Sequence, residues 1–403
     1  MHMQTLFKSK TGYYDNRFGA NRTNREHMYI CEPEILAAFC ERARTHAVVA
    51  VDTEFLRERT YHPKLCLVQV ATTDEVAVID PLLVKDLAPL AEIFEDERIT
   101  KVFHACDQDL EVIAGGMGCI PHPVFDTQLA AAFLGHRMQM GLGALVQVYT
   151  GVHLDKADSL TDWSKRPLDD EQLRYAEEDV LYLPGIYQTM MDDLVRLNRL
   201  GWLAPELAAI CDPKRFARDP REAFVHLKRS SSLTRRQLAV AREVCAWRER
   251  SAERRDLPRK WVLADEVVVE ICRRTPRSKD RLLRIRGTDQ LSDRDAEGVV
   301  RAVRQGTACD PAHYPYIKHR PRPTAEQDSV IDLMYAMLRL SSDTCGVALP
   351  LIATRDDLYG FVAGEKDSPL QSGWRYEVAG ERLGALLAGE VGLTVKDGRV
   401  EML

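Results

Sequence analysis

AVVAVDTEF, residues 47–55, decides how this chain is read. The apolar run from Ala47 to Val51, with its three β-branched valines, predicts a buried strand. Asp52 and Glu54 stand two apart at its end, so their side chains leave the same face. Two carboxylates side by side at the end of a buried strand repel each other and lose solvation. Divalent cations offset both costs. A turn acid followed by a surface glutamate is the competing reading of this pair alone.

Outward from this strand the pattern alternates. LCLVQVAT (65–72) and EVAVIDP (75–81) are further strands, the second ending at Pro81. ITKVFHA (99–105) is a fourth, and it runs into the helical stretch DQDLEVIAGGM (107–117). DTQLAAAFLG (126–135) and GLGALVQVYTG (141–151) read as helices. The stretch 170–198 is a long amphipathic helix interrupted near Pro184. An α/β domain is therefore expected over residues 28–212, preceded by a flexible, mildly basic extension, 1–27. Prolines at 213 and 220 mark the next joint. Leu238, Ala241, Val244, Ala246 and Trp247 have helical spacing within a second module, 213–306. The proline-rich run PAHYPYIKHRPRP lies in a linker, 307–323. A third, mostly helical module follows, 324–403, with Ile331, Met334, Met337 and Leu338 at core spacing.

Three more groups carry chemistry. Asp109 follows the fourth strand, with Asp107 as a rival; on a helix the two diverge, and spacing alone does not choose between them. Tyr175 and Asp179 sit four apart on a helix and share a face. A carboxylate there can hold a metal while the phenol orients a water. Glu177 and Glu178 are expected to face solvent.

The composition narrows the class. No apolar run reaches the roughly 20 residues that cross a bilayer, and the polar N-terminal stretch lacks the apolar core of a signal peptide. A cytosolic protein without membrane contact is expected. The ten cysteines include no CxxC pair, so they read as buried reduced thiols rather than a zinc site. The net charge of −6 is uneven: residues 213–306 hold 25 Lys and Arg against 14 Asp and Glu, a local +11, which leaves −17 for the rest. A basic module beside an acidic one suits a polyanionic partner and a separate metal-holding site. Arg235, Arg236, Arg254, Arg255, Arg259 and Lys260 are candidates for contacts to a nucleic-acid backbone.

The ordered set DxE, HAxxDL and YxxxD resembles the DEDD superfamily of 3′→5′ exonucleases, and the tyrosine its DEDDy branch. VDTEF, YHPKLCLVQVA, KVFHACDQDLEVI, VFDTQLAAAFLG, LTDWSKRPL and YAEEDVLYL narrow the resemblance to the ribonuclease D family. Leu238, Trp247, Arg248, Asp256, Pro258, Leu263 and Asp265 are spaced like an HRDC domain. IATRDDL and LQSGWRYEVAGERLGALLAG resemble the second such domain of bacterial members. The resemblance covers roughly residues 28–403. It implies a ribonuclease H-like α/β DEDD exonuclease domain followed by two all-α HRDC-like domains.

It also selects Asp109, the aspartate followed by leucine, over Asp107. Asp52, Glu54, Asp109 and Asp179 would hold two divalent ions, Mg²⁺ with Mn²⁺ as substitute, and Tyr175 would align the attacking water. The implied products are nucleoside 5′-monophosphates, and the implied partner is RNA with a free 3′ end, such as transfer RNA precursors, met by a monomer. Phe55, Gln69, His104 and Arg166 are candidate substrate contacts: Gln69 resembles a family position near the site, and the other three each have a structural alternative. Asp126 is expected to support the fold or the substrate groove. A DNA-directed exonuclease and a non-catalytic nucleic-acid-binding protein are the competing functions.

Overall fold

Six strands build one mixed sheet: β1 (Glu26–Ile30), β2 (Val48–Leu56), β3 (Lys64–Ala71), β4 (Glu75–Ile79), β5 (Thr100–Phe103) and β6 (Val124–Asp126). Their spatial order is β1-β4-β3-β2-β5-β6. β1 runs parallel to β4, β2 to β5 and β5 to β6, whereas β3 and β4 are antiparallel. β3 is buried from Leu65 to Ala71 and β4 along its whole length. Strands enclosed on both faces need apolar side chains throughout, which explains these continuous runs. The sheet starts at Glu26 rather than Met28, because His27 is buried beside Met28 and Arg25 donates to the Thr73 carbonyl at 2.9 Å. The computed structural model describes residues 25–154, 161–217, 219–317 and 323–403. Most of the expected extension and part of the linker lie outside these residues.

Eight helices accompany the sheet: α1 (Pro33–Ala43), α2 (Ala88–Glu95), α3 (Asp107–Met117), α4 (Thr127–Phe133), α5 (Leu142–Thr150), α6 (Asp170–Leu181), α7 (Leu183–Arg196) and α8 (Leu200–Ile210). α3 covers the stretch predicted as helical and stops at Gly118, whose φ of +74° suits glycine. A reciprocal cap between Asp169 and Gln172 starts α6. The break between α6 and α7 falls at Tyr182, ahead of Pro184, which has no N–H to continue the ladder.

The described residues divide into two compact units, one drawn from 1–54, 65–212 and 322–403, the other from 55–64 and 213–321. In the second unit, α9 (Arg235–Arg255), α10 (Arg259–Val262), α11 (Asp265–Arg274), α12 (Lys279–Leu282) and α13 (Asp293–Thr307) enclose Leu238, Val244, Cys245, Val268, Ile271 and Val299. α9 and α13 approach closely at two glycines. A Cβ on Gly298 would meet Trp247 Nε1 at 2.4 Å, and one on Gly306 would meet the Val240 Cα at 2.5 Å. The strap 55–64 belongs here too. Asp256 accepts the backbone N–H groups of Tyr61 and His62 at 3.0 and 3.1 Å, and Tyr61 donates its hydroxyl to Glu249 at 2.9 Å. Arg259 pairs with Glu249 at 2.6 Å and lies 5.3 Å from the Tyr61 ring centre.

The segment read from sequence as a third module packs into the core of the first unit. It opens with α14 (Ala325–Cys345), continues through shorter helices, and ends in a hairpin, β7 (Leu393–Lys396) and β8 (Arg399–Met402). Ile331, Met334, Met337 and Leu338 share one hydrophobic cluster with Phe133, Ile186, Leu194 and Leu203. Trp374 meets Phe133 edge-on at 5.0 Å and stacks on Trp202 at 5.9 Å. Glu206 accepts from Trp374 Nε1 at 3.0 Å and takes a forked pair of bonds from Arg375 at 2.6 and 3.1 Å. Arg199 donates to the carbonyls of Phe133, Cys345 and Gly346, tying α4 to the end of α14. The ten cysteines are free thiols, six of them buried. Among the described residues no helix is long and apolar enough to cross a membrane.

Candidate active site

β2 delivers Asp52 and Glu54 near its end, and α6 delivers Asp179. Strand pleat and helical pitch bring the three acids together: one carboxylate oxygen from each lies within 4.8 Å of the others. Asp109, in the first turn of α3, is 6% exposed, whereas Asp107 is exposed. The Asp109 carboxylate accepts the Thr53 hydroxyl at 2.5 Å. It stands outside the group of three yet close enough to raise the pKa of Asp52 and Glu54 by repulsion.

The electrostatics are those of negative charge without compensation. Burial first, then repulsion from Asp109, Asp179 and Glu54, holds Asp52 well above the usual carboxylate range. Burial, then Asp179 and Asp109, pushes Glu54 up to about 8. Burial raises Asp179 to about 7, with Glu178 adding repulsion and the Tyr175 hydroxyl bond opposing it. Burial also raises Asp109 to about 6 against the Thr53 bond. Acids in such a cluster take up protons unless a cation neutralises them. The donor set is entirely carboxylate oxygen, which fits a hard divalent cation.

Tyr175 projects from α6 one turn before Asp179 and hydrogen-bonds to it, as the four-residue spacing predicts. Burial and the surrounding acids push the phenol pKa up, so it remains a donor. Trp163, which is buried, lies 5.9 Å from the Tyr175 ring. Thr53 and Trp163 are the two neighbours of the site that the sequence reading missed. The first lies between the two acids of VDTEF, and the second inside LTDWSKRPL, so both stood within motifs already singled out.

The structure redistributes the other candidates. Arg166 uses all five of its N–H donors: two on Asp80 at 2.5 and 2.9 Å, and one each on the carbonyls of Trp163, Lys165 and Cys66. Asp80 is fully buried and also accepts from Tyr29. Arg166 is therefore a clamp across the fold, and it offers no N–H to a phosphate. His104 faces the Thr127 hydroxyl through Nδ1 and the Met140 carbonyl through Nε2, both at 2.9 Å, which leaves neither nitrogen for substrate. Gln69 is fully buried in β3, and its amide atoms have no hydrogen-bond partner among the described residues. Phe55 is half-buried, with the Arg57 guanidinium 5.7 Å from its ring centre. Asp126 caps α4 and also accepts the N–H groups of Ala105 and Cys106, so it braces the turn that presents Asp109. Glu177 is not solvated: it is 1% exposed and faces His27 Nδ1 at 3.1 Å.

A family profile described as 3′-5′ exonuclease matches residues 28–195, and one described as HRDC domain matches residues 237–302. Ribonuclease D of Nitrobacter hamburgensis is 39% identical over 369 residues, 91% of this chain and 96% of that protein. Ribonuclease D of Bartonella henselae is 35% identical over 406 residues, covering 99% of each. Among solved structures, Escherichia coli RNase D, described as an exoribonuclease involved in structured RNA processing, superposes with a TM-score of 0.78 at 31% identity, over 90% of this chain and 99% of that one.

Proposed function

This chain belongs to the ribonuclease D family, and from that premise we propose that its 3′→5′ exoribonuclease chemistry is carried by Asp52, Glu54, Asp109, Tyr175 and Asp179. Enzymes of the family are metal-dependent nucleases. The observation that carries the assignment is the group of three carboxylates whose oxygens lie within 4.8 Å of one another, with the phenol of Tyr175 bonded to one of them.

Asp52, Glu54 and Asp179, with Asp109 beside them, would hold two divalent ions, Mg²⁺ or in its place Mn²⁺. Bound there, the ions supply Lewis acidity, which makes an attacking water more acidic and offsets charge on the departing 3′-oxygen. The protein's own contribution is position. Thr53 fixes one Asp109 oxygen by its hydrogen bond. Asp126 holds the turn ahead of α3. Tyr175, beside Trp163, retains its one proton, which it gives to Asp179 in this structure and would turn toward the attacking water once Asp179 holds a metal. Phe55 follows Glu54 directly and offers a half-buried ring to the terminal base.

The substrate we propose is an RNA with a folded body and a short free 3′ end, such as a transfer RNA precursor, processed in the cytoplasm by a monomer to nucleoside 5′-monophosphates. The net charge of +11 over residues 213–306 supports a module that grips the backbone of the body. The test is cleavage of a 5′-labelled, 3′-tailed RNA by wild type and Asp52→Asn, with Mg²⁺ or EDTA, beside a DNA of matched sequence. A ladder shortening from the 3′ end of RNA, dependent on metal and absent in the mutant, is expected. Binding without shortening by both proteins would defeat the catalytic assignment, and equal rates on DNA would defeat the choice of substrate.

A further inference from the structure

The second unit contains a cavity of about 500 Å³ with Arg229, Arg273 and Arg286 among its lining residues and an apolar wall of Val267, Val269 and Gly287. Its size is that of a small-ligand pocket, and its mixture of cations and apolar surface suits a phosphate attached to a ring. Arg273 is held by a bond to the Ser232 hydroxyl at 2.8 Å.

The three arginines border a wider feature. The run from Cys272 to Gly287 carries seven Lys and Arg and one acid, Asp280. Arg274 pairs with Glu270 and Lys279 with Asp293. Arg273, Arg277, Arg281, Arg284 and Arg286 are exposed, and none has an ion-pair partner among the described residues. Three of the six basic residues nominated from sequence are engaged as follows. Arg255 pairs with Asp295 at 3.0 Å, Arg259 with Glu249 at 2.6 Å, and Arg235 donates to the Tyr314 carbonyl at 3.0 Å. A guanidinium already paired with a carboxylate has less charge to offer a phosphate, so the favourable surface is 273–286.

We propose that this pocket binds one nucleotide of the RNA body, with its phosphate on Arg273 and Arg286 and its sugar and base against Val267 and Val269. The proposal rests on the exoribonuclease reading and deepens it. Glu266 and Glu270 also line the pocket, and they disfavour a bare anion. Glu270 is engaged by Arg274, whereas Glu266 is placed to accept from a ribose hydroxyl or a base amino group.

The test uses the full chain in EDTA, so that RNA is bound and not cut, and follows fluorescence anisotropy of a hairpin RNA with a 3′ tail across a salt series. For the double variant Arg273→Gln/Arg286→Gln we expect a several-fold weaker affinity, with the log-affinity against log-salt slope shallower by about 0.7–0.9, the loss of one neutralised phosphate. Arg235→Gln/Arg255→Gln should change the slope less. Glu266→Met should weaken binding, because an acceptor is lost. With Mg²⁺, cleavage of a trinucleotide by the first double variant should match wild type. A correctly folded Arg273→Gln/Arg286→Gln protein with unchanged slope and affinity overturns the proposal. So does tighter binding by Glu266→Met, which would mark a simple anion site. Failure of the exoribonuclease reading would show separately, as a wild type that does not shorten the 3′-tailed hairpin in Mg²⁺.

Discussion

Replacing Glu54 by Gln should have opposite effects on catalysis and on the stability of the metal-free protein. Burial, with repulsion from Asp179 and Asp109, raises Glu54 from 4.5 to about 8. In the native metal-free state this residue keeps a proton that the unfolded chain has released. Its contribution to stability is therefore full below the unfolded value and is lost as pH rises through about 8. At about 1.4 kcal/mol per pKa unit, that shift corresponds to at most about 5 kcal/mol. Proton sharing within the cluster and local relaxation reduce this to about 1–3 kcal/mol. Glutamine removes the penalty. In EDTA at about pH 8.5, Glu54→Gln should melt about 2–6 °C above wild type, and the gain should vanish near about pH 5. With Mg²⁺ at 100 times its Kd, wild type gains about 2.7 kcal/mol, the mutant gains less, and the difference between them shrinks or reverses. Turnover of RNA should fall by at least about 100-fold, or about 2.7 kcal/mol of barrier. Calorimetry at the two pH values, with and without metal, reads the melting shifts, and cleavage of the 3′-tailed RNA reads the turnover. A mutant that melts below wild type in EDTA at the higher pH, or gains equally at both, would refute the account of an uncompensated acidic cluster.

Tyr175→Phe should lower kcat by about 100-fold while leaving RNA affinity in EDTA unchanged, since only the donated proton is lost. Single-turnover kinetics beside anisotropy separates the two. Arg166→Met should cost about 3–5 kcal/mol of stability by leaving Asp80 buried and unpaired, with no change in the salt slope of RNA binding. A shallower slope would restore Arg166 as a phosphate contact. Gln69→Met should be neutral or stabilising in chemical denaturation, because it removes a buried amide without partners. Glu206→Ala should destabilise the first unit by about 2–4 kcal/mol through Trp374 and Arg375, visible as a lower denaturation midpoint.

What was legible in the sequence was local. The boundaries of α3, the interruption ahead of Pro184 and the shared face of Tyr175 and Asp179 follow from periodicity and from proline's missing N–H. The pair Asp52 and Glu54 follows from strand pleat. What escaped depends on partners far along the chain. Arg166 looks like a surface-turn arginine until Asp80, 86 residues earlier, is folded beneath it. Glu177 looks like one acid in a solvated run until His27, 150 residues away, covers it. The helices beginning at Thr324 carry ordinary amphipathic spacing, and nothing in that spacing says that Trp374 will insert between Phe133 and Trp202.

The strap 55–64 bears on how this enzyme can be dissected. The boundary between the units falls inside β2 just after Glu54, the next ten residues belong to the second unit, and the chain rejoins the first unit at Leu65. Cutting the chain at residue 213 would discard Glu249, Asp256 and Arg259, and Tyr61 and His62 would lose the acceptors that shape their turn. The resulting slack would begin at the residue next to Glu54, one of the acids proposed to hold metal. Such a truncation removes more than an accessory module, and a drop in its activity would not measure RNA gripping alone. The chain is modular by homology but not by scissors: point substitutions on the surface of the second unit are the clean way to ask what it does.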